Sequence, residues 1–136
     1  MRNEFIPYKE ALALKELGFD EPCFYMWNID TKELFSSNST DINEQPTNLD
    51  LIGNVDFTAP LYQQAFRWFR EKYDLVSEIQ APDGKGGKWN PTIHKVCGFG
   101  NHYDNDGFKT YEEAQDACLR KLIEVVNQIL NQNPDE

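Results

Sequence analysis

The chain has 136 residues, 40% of them hydrophobic and 13% aromatic, which suits a single compact domain with its own core rather than a disordered tail. No apolar run approaches the roughly 18 residues of a membrane helix, and Met1–Glu10 lacks the basic-then-apolar layout of a signal peptide, so a soluble, cytoplasmic protein is expected. The net charge of -10 argues against general affinity for phosphate backbones.

The acid is unevenly spread. Met1 to Thr58 hold 4 basic and 11 acidic residues, and the remainder holds 9 and 12, so the first half either keeps a crowded protein soluble or presents an acidic surface to a basic partner groove. Cys23, Cys97 and Cys118 are odd in number and widely spaced, which suggests neither a disulfide framework nor a zinc knuckle.

In chain order, "PYKEALALKELGFD" predicts a first helix that starts at Pro7 and ends at Gly18, with Leu14 and Phe19 spaced to close a Schellman cap. Its apolar positions form no clean stripe. "PCFYMWNIDTKELFSS" predicts a strand, a turn over Asn28–Thr31 and a second strand; the first is apolar on both faces. Residues 36–56 form a polar insertion. Ile42 is the only large apolar side chain between Ser36 and Asn48, too little for a core, and the segment reads as a mobile loop. "LDLIGNVDFTAP" then leads into a second helix, Leu61 to about Tyr73.

That helix contains "AFRWFREKY", the densest group of aromatic and arginine side chains in the chain. On a helical wheel Leu61, Tyr62, Ala65, Phe66, Trp68, Phe69 and Tyr73 share one arc of roughly 160°, so most of the aromatics belong to a core. Trp68 lies at its edge and is expected to stay partly exposed, while Arg67 and Arg70 face away. Three strands follow, "LVSEIQ", "TIHKVCG" and "NHYD", the first two separated by the glycine-rich "APDGKGGK". The last helix opens at a Thr110–Glu113 capping box and runs through Tyr111, Ala114, Cys118, Leu122, Val125 and Ile129. Residues 131–136 form a polar tail. The fold class is α+β: an antiparallel sheet packed by helices in the order α-β-β-α-β-β-β-α.

Few motifs carry chemistry. His102-x-Asp104-x-Asp106-Gly107 followed by Glu113 repeats the spacing of a calcium loop, but histidine stands where the first hard oxygen ligand should be, and "NDG" is a turn sequence in its own right. His94 and Cys97 have opposite parity along a strand, which disfavours a nucleophilic dyad. No nucleophile elbow or helix-opening phosphate loop occurs, so the reading is non-enzymatic and without a cofactor.

From Ala59 onward the order helix, three strands, helix, with the Ala114 and Ala117 stripe of the last helix, resembles the topology of the double-stranded RNA-binding domain. That family places lysines at the start of this helix, where Tyr111, Glu112 and Glu113 stand here, so the resemblance implies the topology without the RNA binding. The blocks "EFIPYKEALALKELGFDEPCF", "APLYQQAFRWFREKYDL" and "TYEEAQDACLRKLIEVV" are together similar to small uncharacterised phage and prophage proteins of Bacteroidetes. That resemblance implies an accessory protein acting inside a bacterial host cell.

Three readings follow. The first is an interaction protein that occupies a basic surface of a host protein, including an anti-CRISPR-like inhibitor, through the acidic first half, the 36–56 loop and Trp27. The second is a binder that sequesters a nucleotide-derived signal, with Trp89, Tyr103, Arg67 and Arg70 as stacking and phosphate groups. The third is a structural or transcription-linked role through helix surfaces. Trp68, expected to stay partly exposed, is a further candidate binding residue. A homodimer is compatible with short elements that have apolar edges.

Overall fold

The computed structural model describes residues 4–36, 45–51, 56–84, 86–96 and 103–132. They form an α+β fold in the order α1 (Tyr8–Glu16), β1 (Tyr25–Asn28), β2 (Leu34–Ser36), β3 (Asp56–Thr58), α2 (Tyr62–Tyr73), β4 (Leu75–Gln80), β5 (Asn90–Lys95) and α3 (Tyr111–Gln132). Class and helix positions match the sequence reading, and one strand changes place. Asp56–Thr58 pairs with β1, whereas Tyr103–Gly107 is irregular chain. The strands form two antiparallel sheets, β2-β1-β3 and β4-β5, instead of one. The chain divides into two compact units, Met1–Tyr62 and Gln63–Glu136.

In the first unit, α1 ends as its sequence dictates. Gly18 takes φ 96°, a region closed to side chains bearing Cβ. Phe19 N–H reaches Leu14 C=O at 2.9 Å and Gly18 N–H reaches Lys15 C=O at 3.0 Å, the two bonds of a Schellman motif. Leu14 and Phe19 are both fully buried. The helix faces β3: the Tyr8 ring meets Phe57 edge-on at 5.1 Å, and Lys15 Nζ lies 5.9 Å from the same ring. Phe57 is wholly enclosed, and burial of such a side chain contributes about 1.5–3 kcal/mol.

Strands β1 and β2 form a hairpin with Met26 opposite Phe35. Asn28 builds its turn, its Oδ1 accepting the N–H groups of Asp30 at 2.9 Å and Thr31 at 2.8 Å, while Lys32 takes the left-handed φ of 59°. The described part of the polar insertion is tied down. Cys23 N–H donates to Pro46 C=O at 3.1 Å, and Thr47 and Asp50 cap each other. The buried Asn48 donates to Phe19 C=O and accepts from Thr58 N–H, both at 2.8 Å. A polar side chain thus closes this part of the core where only apolar ones were sought. Residues 37–44 and 52–55 of the insertion lie outside the described set.

In the second unit, β4 and β5 pair over six residues from Leu75↔Lys95 to Gln80↔Asn90, and α3 lies against both strands. Thr110 Oγ1 accepts Glu113 N–H at 3.1 Å and starts α3 as its sequence demands. The buried seam is broader than the expected one: Ala114, Ala117, Cys118, Leu119, Leu122, Ile123 and Val126 are enclosed, whereas Val125 and Ile129 sit half-exposed at its margin. The helix continues to Gln132, past the expected start of the tail.

Helix α2 buries Tyr62, Ala65, Phe66, Trp68 and Phe69. Two expectations are corrected here. Leu61 stands outside the helix and is 39% exposed, because its backbone bridges to Phe5. Trp68 is only 7% exposed: its ring meets Phe69 at 5.1 Å and Tyr73 at 5.6 Å, and the Lys72 ammonium lies 5.1 Å from its centroid. The edge position on the wheel is enclosed in the folded chain.

Candidate functional site

The acidic half of the sequence coincides with the first unit, which holds 4 basic and 11 acidic residues and the three-stranded sheet β2-β1-β3. Its β1–β2 hairpin carries the features of a docking element. Ile29 and Phe35 are exposed on it, with Phe24 exposed just before it. Asp30 and Glu33 flank the turn, both exposed and neither ion-paired among the described residues. The turn is held in shape by the Asn28 side chain and by Lys32, whose ammonium sits 5.7 Å from the Tyr8 ring. A preformed turn presents charge and apolar area without an ordering cost at the moment of contact.

Trp27 belongs to the same hairpin, but its indole N–H donates to Ile6 C=O at 2.9 Å and its ring meets Tyr8 edge-on at 5.9 Å. It therefore braces the sheet against the segment that enters α1, and its hydrogen-bond donor is already engaged.

The second unit holds the other expected residues without gathering them. Trp89 is pinned by a two-way backbone bridge to Phe108, both bonds 2.8 Å, and packs edge-on to Tyr111 at 5.4 Å. Arg67 and Arg70 are exposed on α2. Tyr103 lines a shallow cavity of about 380 Å³ together with Phe108, Ala117, Arg120, Lys121 and Glu124, and Trp89, Arg67 and Arg70 are not among its walls. Partial burial raises the Tyr103 phenol pKa, aided by Cys118 and Glu124 and opposed by Arg120. The cations of this cavity are committed locally, Arg120 to Asp116 at 3.2 Å and Lys121 to Glu124 at 3.3 Å.

The calcium-like spacing folds as a turn. Asn105 Oδ1 accepts Gly107 N–H at 2.9 Å, Asn105 Nδ2 donates to Pro91 C=O at 2.9 Å, and Gly107 takes φ 87°. Asp104 and Asp106 are exposed, and Glu113 sits in the first turn of α3. Among the described residues no three His, Cys, Asp or Glu side chains converge to hold a metal ion. His102 and Cys97 lie outside the described residues. Cys118 is enclosed, and burial pushes its thiol up to about 12 against a small opposing effect from a hydrogen bond with Ser77. A thiol held neutral in this way is a packing group.

No protein-family model, curated protein or solved structure matches this chain.

The site is therefore defined by its own chemistry. Sequence reasoning singled out Trp27 in the hairpin and missed Ile29, Phe35, Asp30 and Glu33. The available signal was an apolar residue immediately before Asp30 in a turn, and an aromatic in a strand followed only by polar chain. Arg120 and Lys121 were also missed, although adjacent cations after Asp116 mark the solvent side of α3.

Proposed function

We propose that this chain is a non-enzymatic accessory protein of phage or prophage type, working in the cytoplasm of a bacterial host by docking its acidic unit onto a basic surface of a host protein. An anti-CRISPR-like inhibitor of a defence complex is one form of this activity. The observation that carries the reading is the pairing of acid and apolar area on one rigid hairpin: Asp30 and Glu33 beside exposed Ile29 and Phe35. Unpaired carboxylates steer a basic partner toward the hairpin, and the apolar groups supply contact area once it arrives. The test is capture of basic proteins from host lysate at low salt and at ~0.5 M salt, where surface charges more than several ångströms apart are screened. Capture should weaken with salt and be lost with Asp30→Lys combined with Glu33→Lys; capture indifferent to both would overturn the reading.

A second reading, sequestration of a nucleotide-derived signal, draws support from the cavity at Tyr103, where an aromatic ring stands near two cations. Arg120 and Lys121 would have to exchange Asp116 and Glu124 for phosphate oxygens. A rise in Tm with ADP-ribose or a cyclic dinucleotide that Arg120→Ala abolishes would establish it in place of the first.

A further inference from the structure

The three-stranded sheet has two edges, and they are treated differently. Backbone parity decides what each exposes. Ala59 N–H donates to Tyr25 C=O at 2.8 Å and Asn28 N–H donates to Glu33 C=O at 3.0 Å. In an antiparallel ladder these bonded pairs alternate with unbonded ones, so Tyr25 and Trp27 direct their main chain at β3, and Met26 and Asn28 direct theirs at β2. Thr58 then points its N–H away from β1, where Asn48 Oδ1 accepts it at 2.8 Å. Beyond it Pro60 has no N–H, and its carbonyl is taken by Ile6 N–H at 2.9 Å. The β3 edge is closed at its Thr58–Pro60 end.

On β2 the same parity turns Glu33 and Phe35 toward β1 and leaves the N–H and C=O groups of Leu34 and Ser36 facing outward. Among the described residues neither has another hydrogen bond. Phe35, opposite Met26, is exposed beside this edge. Natural sheets usually shield such an edge with a bulge, a proline, a lysine or a covering segment. Among the described residues β2 has no proline and is short; of the charged residues that precede it in the hairpin turn, Asp30 and Glu33 are unpaired carboxylates, and the Lys32 ammonium lies against the Tyr8 ring at 5.7 Å.

We propose that the β2 edge receives an extended, lysine- or arginine-bearing segment of the partner protein as an added strand, hydrogen-bonded to Leu34 and Ser36. This rests on the reading of the hairpin as the docking element and specifies how it docks. The occupant follows from charge: a second copy of this chain would bring a unit of 4 basic and 11 acidic residues, with the same sign of charge, to this edge, whereas a basic strand meets Asp30 and Glu33 with opposite sign. Main-chain bonds would give the affinity, and alternate side chains, set against Phe35 on one face, the selectivity.

The full chain is titrated at low salt with a capped peptide of alternating lysine and valine, and amide exchange is followed by NMR. Binding should slow exchange of the Leu34 and Ser36 amides, while the same peptide N-methylated at alternate bonds, with its charge unchanged, should bind roughly five- to tenfold more weakly or not at all. Ser36→Pro removes only an outward donor, so it should weaken binding to a similar degree without lowering Tm. Equal binding of the methylated peptide with no protection at Leu34 and Ser36 would overturn strand addition and leave acidic docking standing. No peptide binding at all would overturn both. Protection of the same amides by self-association alone, without peptide, would assign the edge to a second copy and overturn the proposal.

Discussion

The side-chain oxygen of Asn48 accepts the main-chain N–H of Thr58 at 2.8 Å while its amide nitrogen donates to the carbonyl of Phe19 at the same distance. One buried side chain therefore ties the end of α1 to the outer edge of β3. Replacing it with alanine leaves a buried donor and a buried acceptor without partners, at a cost of about 1–3 kcal/mol each. Asn48→Ala is expected to lower unfolding free energy in urea by about 2–6 kcal/mol and to increase light scattering, since it uncovers the Thr58 N–H on a second sheet edge. Asn48→Asp keeps the acceptor for Thr58 but loses the donor for Phe19, and at neutral pH it places a charge in an enclosed site. It should be no more stable than Asn48→Ala.

What the sequence made legible was local. Pro7, Gly18, Leu14 and Phe19 specify the ends of α1 within a dozen residues, Thr110 and Glu113 specify the start of α3, and Asn105 with Gly107 specifies a turn. In each, the partners that satisfy the backbone are sequence neighbours. What escaped depends on distant partners. Asp56–Thr58 is too short to show a period-2 pattern, and it becomes a strand because β1, some thirty residues earlier, offers an unpaired edge. Asn48 looked like one more polar residue in a polar run because its two partners lie 29 and 10 residues away. The same limit applies to the docking element. Whether Phe35 is core or surface depends on what packs over its face of the sheet, which no local pattern records.

Gly86 and Gly107 separate two costs of adding a side chain. Both have positive φ, 79° and 87°, so alanine at either is strained by about 1–2 kcal/mol. A Cβ at Gly86 would meet nothing within 4 Å, whereas one at Gly107 would lie 2.8 Å from the Lys88 Cβ. Gly107→Ala is therefore expected to lower Tm clearly more than Gly86→Ala, and to perturb Trp89 fluorescence through the adjacent Trp89–Phe108 bridge. Equal losses would mean that the backbone there yields without resistance.

The two tryptophans outside the Gly107 turn should respond in opposite ways. Trp68 is enclosed, and truncation to alanine leaves a cavity, so a loss of about 3–5 kcal/mol is expected. Trp27→Phe keeps most of the ring packing against Tyr8 and removes the bond to Ile6 C=O, a loss of about 0.5–1.5 kcal/mol. Acrylamide should quench Trp27 more readily than Trp68 in single-tryptophan variants. A Trp68 as quenchable as Trp27 would restore it as a surface aromatic and remove the ground for excluding it from the site.

Stability should fall at alkaline pH through Cys118. Its thiol moves from 9.0 to about 12 because it is buried between α3 and β4, with the Ser77 hydrogen bond opposing that shift. Below pH 9 both folded and unfolded chains keep the proton and the group contributes no pH dependence. Between pH 9 and about 12 the unfolded chain releases it while the folded chain retains it, so unfolding is favoured by roughly 1 kcal/mol per pH unit. The phenols of Tyr73 and Tyr103, both raised by burial from 10.0, add a decline of the same sign that begins about one unit higher. Cys118→Ala should cost a constant amount at neutral pH and flatten the alkaline slope, most visibly between pH 9 and 10, before the tyrosines contribute. An unchanged slope in that interval would place the titrating group elsewhere, and rapid alkylation of Cys118 in the folded protein would show that the seam of α3 opens to solvent.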